Sequence, residues 1–254
     1  MQHSIAIVPD PIGVPVNQNQ EEDRSHSSDE EGRWGAEEIT RIVLRPLATP
    51  LPLAFFAFGI GSFLLSGQQL GLIPQDETKL VALVLGLFVF PLEALATVFA
   101  LLARESLGAT ALGIFSASWL TTAVTTYTQP PGSTAVTLGL FQLILMFALV
   151  LLGVSGVGGK PLISAIILLG AVRFGLDGLY QLTSFTALEL VSGIFGVVVV
   201  LFAFYGGLAL VLEDLQHRTV LPFGRRGEAL DAIEGDIGDQ VGPLEQEPGV
   251  RKQL

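Results

Sequence analysis

The chain has 254 residues, 50% hydrophobic and only 15% charged, with a net charge of −11 and no cysteine. A soluble domain carries about 25% charged residues, and here 16 of the 24 acidic residues lie near the two ends, nine before Arg41 and seven after Gly227. That distribution argues against a soluble α/β enzyme. The acidic balance without a basic stripe argues against a nucleic-acid partner, and the lack of cysteine removes disulfides, thiolate metal sites and cysteine nucleophiles.

Residues 1–35 are polar and acidic, with too little apolar surface to offset the entropy of ordering, and are expected to be a disordered tail. They do not read as a signal peptide, because no basic stretch leads into an apolar run. Residues 36–48 can form a short amphipathic helix with Ile39, Ile42 and Val43 on one side and Arg41 and Arg45 near lipid headgroups. Residues 49–224 form the membrane domain. A bilayer core asks for about 20 residues of helix, and six apolar runs meet that length: 50–67, 80–102, 107–127, 134–154, 161–181 and 188–212. Turn signals separate them, including Gly71 with Pro74, Arg104-Glu105, Pro130-Pro131-Gly132 and Gly156–Pro161. Residues 225–254 form a second disordered acidic tail. The expected fold is an all-α membrane protein, a six-transmembrane-helix bundle with short connections.

Basic residues set the orientation. Arg33, Arg41, Arg45, Arg104, Lys160, Arg218, Arg225 and Arg226 fall on the side of the two tails, and only Lys79 falls opposite. Both termini are therefore expected in the cytoplasm of a multi-pass cell-membrane protein. A faint repeat runs through the even spans. Leu85-Gly86-Leu87-Phe88, Leu138-Gly139-Leu140-Phe141 and Ser192-Gly193-Ile194-Phe195 place glycines 53 and 54 residues apart, one helix hairpin per unit.

Three ionisable residues lie well inside the apolar runs: Glu93, Arg173 and Asp177. Each costs about 2.5–3.5 kcal/mol on the lenient insertion scale, so each should face protein or a wet cavity. Arg173 and Asp177 are spaced i, i+4 and can form an ion pair; that pair either braces span 5 or sets Arg173 beside a pathway for carboxylates. Ser118, Thr121, Thr122 and Thr125 share one face of span 3, for helix packing or as a hydroxyl-lined wall. His3, His26 and His217 lie outside the bundle. No Ser/His/Asp set, phosphate loop or metal cluster can be assembled, so the expectation is a protein that is not an enzyme, with no cofactor and no metal.

Two stretches carry a family resemblance. Thr49-Pro50-Leu51-Pro52-Leu53-Ala54-Phe55, then Phe58-Gly59-Ile60-Gly61, resembles the N-P-A-P-L-G-L signature and Gly-rich first helix of the acetate uptake transporter family, the acetate/succinate permeases of bacteria and fungi. Tyr205, Val211-Leu212 and Arg218-Thr219-Val220-Leu221-Pro222-Phe223-Gly224 resemble the close of span 6 in the bacterial members. A third, degraded match joins spans 2 and 3, through Gly108-Ala109-Thr110-Ala111-Leu112 and Phe115-Ser116-Ala117-Ser118-Trp119. The chain also departs from the family: Thr49 replaces Asn, Ala54 replaces Gly, Arg104-Glu105 replaces Gly-Asn, and Glu93 stands where the family has a pore-facing Gln.

The resemblance implies a channel-like permease for small monocarboxylates, acetate above all and succinate in some members, working passively or by proton symport. It implies a homohexamer with one pore per protomer. On the motif match Phe58 and Phe115 occupy the aromatic constriction, and the substrate pathway takes in Thr49, Pro50, Pro52, Leu53, Phe58, Glu93, Phe115, Trp119 and Tyr205. An ionised Glu93 facing that pore at about 5 Å would repel an acetate anion by roughly 3 kcal/mol at an effective dielectric near 20. Either Glu93 is protonated and carries a coupled proton, or Arg173 neutralises it, or the cargo is not an anion. Two other functions stay open: a non-transporting membrane scaffold or sensor with acidic tails for cytosolic partners, and a pore for another small solute such as ammonia or an amide.

Overall fold

The computed structural model describes residues 48–216, 218–224 and 226. The tail over 1–35, nearly all of the amphipathic segment over 36–48 and, apart from Arg226, the tail over 225–254 lie outside the described residues. So do the three histidines and Arg33, Arg41, Arg45 and Arg225.

Among the described residues every regular element is helical. The chain runs through α1 (Leu51–Gln69), α2 (Gln75–Leu102), α3 (Ser106–Thr128), α4 (Val136–Gly156), α5 (Pro161–Thr183) and α6 (Thr186–Gln216), each long and apolar enough to cross a bilayer. Prolines set two starts. Pro50 and Pro52 open α1 and Pro161 opens α5, at first-turn positions where a missing N–H costs nothing. Pro130-Pro131 follow α3 and stop it. Gly71 turns the chain after α1 at φ +72°, where a Cβ would be strained. The 31 residues of α6 span about 46 Å at 1.5 Å per residue, so its ends pass beyond a hydrocarbon core of about 30 Å.

α2 is not uniform. It opens with a 3₁₀ turn (Gln75–Glu77) and an α-helical segment (Thr78–Val84), passes through a π-turn (Leu85–Val89) and resumes as an α-helix (Phe90–Leu102). Pro91 explains the break. It has no N–H for the turn before it and its ring crowds that turn; the wider π-turn accommodates both. Leu85, Val89, Glu93, Ala96 and Ala100 then form one fully buried stripe.

The bundle is apolar on its outside. Leu87, Leu201 and Ile144 are 76%, 65% and 62% exposed, the inverse of a water-soluble bundle and the surface a lipid environment accepts. The helices form a ring in chain order. α1 packs on α2, α2 on α3, α4 on α5, α5 on α6 and α6 back on α1, while α3 and α4 touch only sparsely. The glycines of the faint repeat sit at equivalent joints of this ring. A Cβ on Gly86 of α2 would lie 3.3 Å from Ala123 of α3; one on Gly139 of α4 would lie 3.0 Å from the Gly178 carbonyl of α5; one on Gly193 of α6 would lie 3.0 Å from Leu70 at the end of α1. Each even helix thus approaches the next odd helix through a glycine.

The two described ends of the chain meet at one end of the bundle. There the Arg226 N–H donates to the Gly159 carbonyl at 3.1 Å, and Lys160 pairs with Glu105, joining the α4–α5 and α2–α3 connections. Lys79 lies at the other end, 5.6 Å from the centre of the Tyr127 ring.

Candidate functional site

The odd helices line the axis of the ring. On α1, Leu51, Phe55, Phe58 and Ser62 follow one another at helical spacing on the inner face, which puts Leu53 on the outer one. Phe58 packs against Phe115 of α3 with ring centroids 4.6 Å apart, and against Trp119 at 5.8 Å in an edge-on arrangement. Phe115 stacks in turn on Phe174 of α5 at 6.2 Å. Gly170 lets α5 come close: a Cβ there would be 3.1 Å from the Phe115 ring. These four rings close the axis.

Above the rings, toward the end of Lys79, lies a cavity of about 130 Å³. Its wall is polar. Ser62, Gln68 and Gln69 come from α1, Ser118 and Thr122 from α3, Gln142 from α4, and Arg173 and Asp177 from α5. Below the rings is a pocket of only about 20 Å³, lined by Leu51, Phe55, Leu112, Ile163, Ile166 and other apolar residues. Phe58 belongs to the walls of both.

Arg173 and Asp177 meet as their spacing predicts, with Nε 4.0 Å from Oδ2, the outer limit for an ion pair. Gln69 ties them together. Its Nε2 donates to Asp177 Oδ1 at 2.8 Å, and its Oε1 accepts from the Arg173 guanidinium at 3.1 Å. A second guanidinium N–H reaches the Ser62 carbonyl at 3.5 Å. Gly196 of α6 makes room for this group: a Cβ there would lie 2.8 Å from the guanidinium carbon. Three buried oxygens on the cavity wall, Ser62 Oγ, Gln68 Oε1 and Gln142 Oε1, have no hydrogen-bond partner among the described residues.

Glu93 is fully buried in α2 and stands behind Trp119. The indole N–H donates to its Oε1 at 3.0 Å, and its Oε2 has no partner among the described residues. Its partner is therefore Trp119, while the carboxylate beside Arg173 is Asp177. Glu93 is absent from the walls of both spaces.

Of the residues expected on the pathway, Phe58, Phe115 and Trp119 come together at the axis. Thr49 and Leu53 are exposed and Pro50 and Pro52 half-buried; they shape the start of α1 and lie off the walls of both spaces. Tyr205 faces outward, 38% exposed, because the buried face of α6 runs through Gly196, Val199, Ala203 and Gly206. Its hydroxyl donates to the Pro222 carbonyl at 2.8 Å and so pins the segment after α6 against the bundle, with Phe223 buried beneath. The hydroxyl stripe on α3 also differs from the expected one. Ser118, Thr122 and Thr126 face the cavity at i, i+4, i+8, whereas Thr121 and Thr125 bond back to the carbonyls of Ala117 and Thr121. Gln69 and Gln142 were not legible as site residues. A lone Gln in an apolar run is a weak signal, although Gln142 is the one polar side chain deep in the fourth run.

No protein-family profile and no curated protein matches the chain. Among solved structures it is similar to "Structure of the bacterial acetate channel SatP", with a TM-score of 0.63 and 21% identity over 70% of this chain and 100% of that one. The likeness is one of fold.

Proposed function

We propose that this protein is a channel-like membrane permease for small monocarboxylates such as acetate. One observation carries the reading: on the axis, a cavity with a buried guanidinium in its wall ends on the Phe58–Phe115 pair. A guanidinium is the side chain best matched to a carboxylate. The rings limit what passes by size, and the apolar pocket below them penalises a charge. The fold shared with an acetate channel and the motifs at Thr49–Phe55 and Arg218–Gly224 support the same cargo. Transport is taken as passive. Proton symport through Glu93 would require Trp119 to move, because the indole stands between that carboxyl and the cavity. The basic residues at one end of the bundle support cytoplasmic termini, and the resemblance supports a homohexamer.

Purified protein in liposomes, loaded with labelled acetate, tests the reading. Saturable acetate flux well above that of empty liposomes is expected at a pH where free acid is scarce. Flux equal to empty liposomes at every acetate concentration, from a folded preparation, would remove the permease reading and leave the scaffold. A thiol label at Val14 or Val250 that reacts from outside intact cells would overturn the orientation.

A further inference from the structure

We infer that Arg173, Gln69 and Asp177 form a carboxylate subsite that admits monocarboxylates and excludes dicarboxylates, with Asp177 as the discriminating residue. This rests on the permease reading and deepens it. The first part of the argument is unused donor capacity. A guanidinium carries five N–H donors, and that of Arg173 makes two hydrogen bonds, to Gln69 Oε1 and, at 3.5 Å, to the Ser62 carbonyl. Its side chain is only 8% exposed and its Nε stands 4.0 Å from Asp177 Oδ2, so among the described residues two hydrogen bonds and one long ion pair serve the whole guanidinium. A buried cation left so incompletely bonded suits an incoming oxyanion. Ser62 Oγ, buried and without a partner on the same wall, can give that oxyanion a further donor.

The second part is order along the axis. Arg173 lies one turn above Gly170 and its ring contacts; the backbone of Asp177 lies a further turn toward the mouth, about 6 Å along the axis at 1.5 Å per residue, and its carboxylate stands beside the guanidinium, 4.0 Å from Nε. Glu189 of α6 lies on the wall of the same cavity. A carboxylate bound at Arg173 therefore has phenyl and indole rings beneath it and acidic side chains above. The methyl group of acetate fits against the rings. A four-carbon dicarboxylate has no such arrangement. Its second carboxylate must point down into Phe58, Phe115 and Trp119, or up beside Asp177. At about 6 Å and an effective dielectric near 20, the upward arrangement loses roughly a hundredfold in occupancy. Asp177 also competes with the substrate for the guanidinium, which keeps the site weak and quick to empty, as conduction requires.

The test uses the full-length protein in liposomes and two probes, labelled acetate and labelled succinate. Wild type is expected to carry acetate, and excess succinate is expected not to inhibit it. Asp177→Asn keeps an acceptor for the Gln69 amide but removes the charge. It should lower the half-saturating acetate concentration several-fold and raise succinate flux by more, toward a hundredfold. A gain of this kind cannot come from misfolding. Asp177→Asn protein that carries acetate with an unchanged acetate-to-succinate ratio would overturn the inference while leaving the permease reading intact. So would wild-type protein that carries succinate as fast as acetate, a measurement needing no variant. Wild-type protein that carries neither would overturn both.

Discussion

The two spaces on the axis share walls from α1, α3 and α5, the upper one adding Leu138 and Gln142 of α4 and Glu189 of α6, and they differ in size and chemistry. The upper one holds about 130 Å³ and sets amides, hydroxyls and an arginine–aspartate pair among apolar side chains such as Leu65, Leu138 and Phe174; the lower one holds about 20 Å³ and is walled by apolar residues alone. Only Phe58 and its partners separate them. On the proposed permease reading, the difference divides the work between the two spaces. Charge would be recognised where donors line the wall. Passage would be limited where none do, since an ionised carboxylate gives up its hydration there with no compensating bonds. A pathway of this kind favours small acids that cross the lower half briefly or as the neutral form.

The sharpest way to break the contrast is to remove the cation above. Arg173→Gln leaves Asp177 buried without its partner, a cost of about 3–5 kcal/mol, and should abolish saturable acetate flux. The double variant Arg173→Gln/Asp177→Asn removes both charges. It should recover most of the thermal stability in detergent without recovering flux, and recovery of saturable flux would take Arg173 off the route. Phe58→Ala removes the partition itself. Loss of a buried phenyl should cost about 3–4 kcal/mol in an unfolding titration, and flux should extend to branched and aromatic monocarboxylates. Size selectivity that stays the same would mean the rings are not the constriction. Ile163→Thr places a hydroxyl in the lower pocket and removes the buried δ-methyl group. One hydrogen bond offered to a desolvated carboxylate is worth about 1–1.5 kcal/mol, so acetate flux should rise about tenfold; unchanged flux would locate the barrier elsewhere.

The smallest expected effect concerns the acid behind the partition. Glu93→Gln keeps an oxygen for the Trp119 indole and should leave acetate flux within about twofold of wild type, a difference of roughly 0.4 kcal/mol. Glu93→Leu strands that N–H, at about 1–3 kcal/mol of stability, and should loosen Trp119 against Phe58. A Trp119 fluorescence shift in the Leu variant but not in the Gln variant, read in a background lacking Trp34, is the discriminating result.

The architecture could be read from residues because it rests on composition. An apolar run near 20 residues long has one stable form in lipid, and the runs at 107–127 and 161–181 match α3 and α5 to within two residues at each end. The start of α2 was harder, because Gln75–Lys79 is polar and yet helical, and the π-turn before Pro91 leaves no mark in hydropathy. The site was legible only in part. Arg173 and Asp177 announce themselves, since charge is rare in such a segment. The inward face of a helix that is apolar all round does not, so Leu53 could not be told from Leu51, nor Thr121 from Thr122. The Gln69 bridge depends on the end of α1 reaching α5, a long-range contact that spacing along the chain does not encode.

The sparse joint between α3 and α4 gives the bundle the mechanics of a split washer. A ring with six equal joints widens only if all of them stretch. A ring with one weak joint opens there, and its bore changes while the other interfaces stay packed. Thr122 and Thr126 on one side of that joint and Leu138 and Gln142 on the other all wall the upper cavity, so the sparsest joint of the ring borders the candidate site, and Phe115 of the partition is carried on α3 beside it.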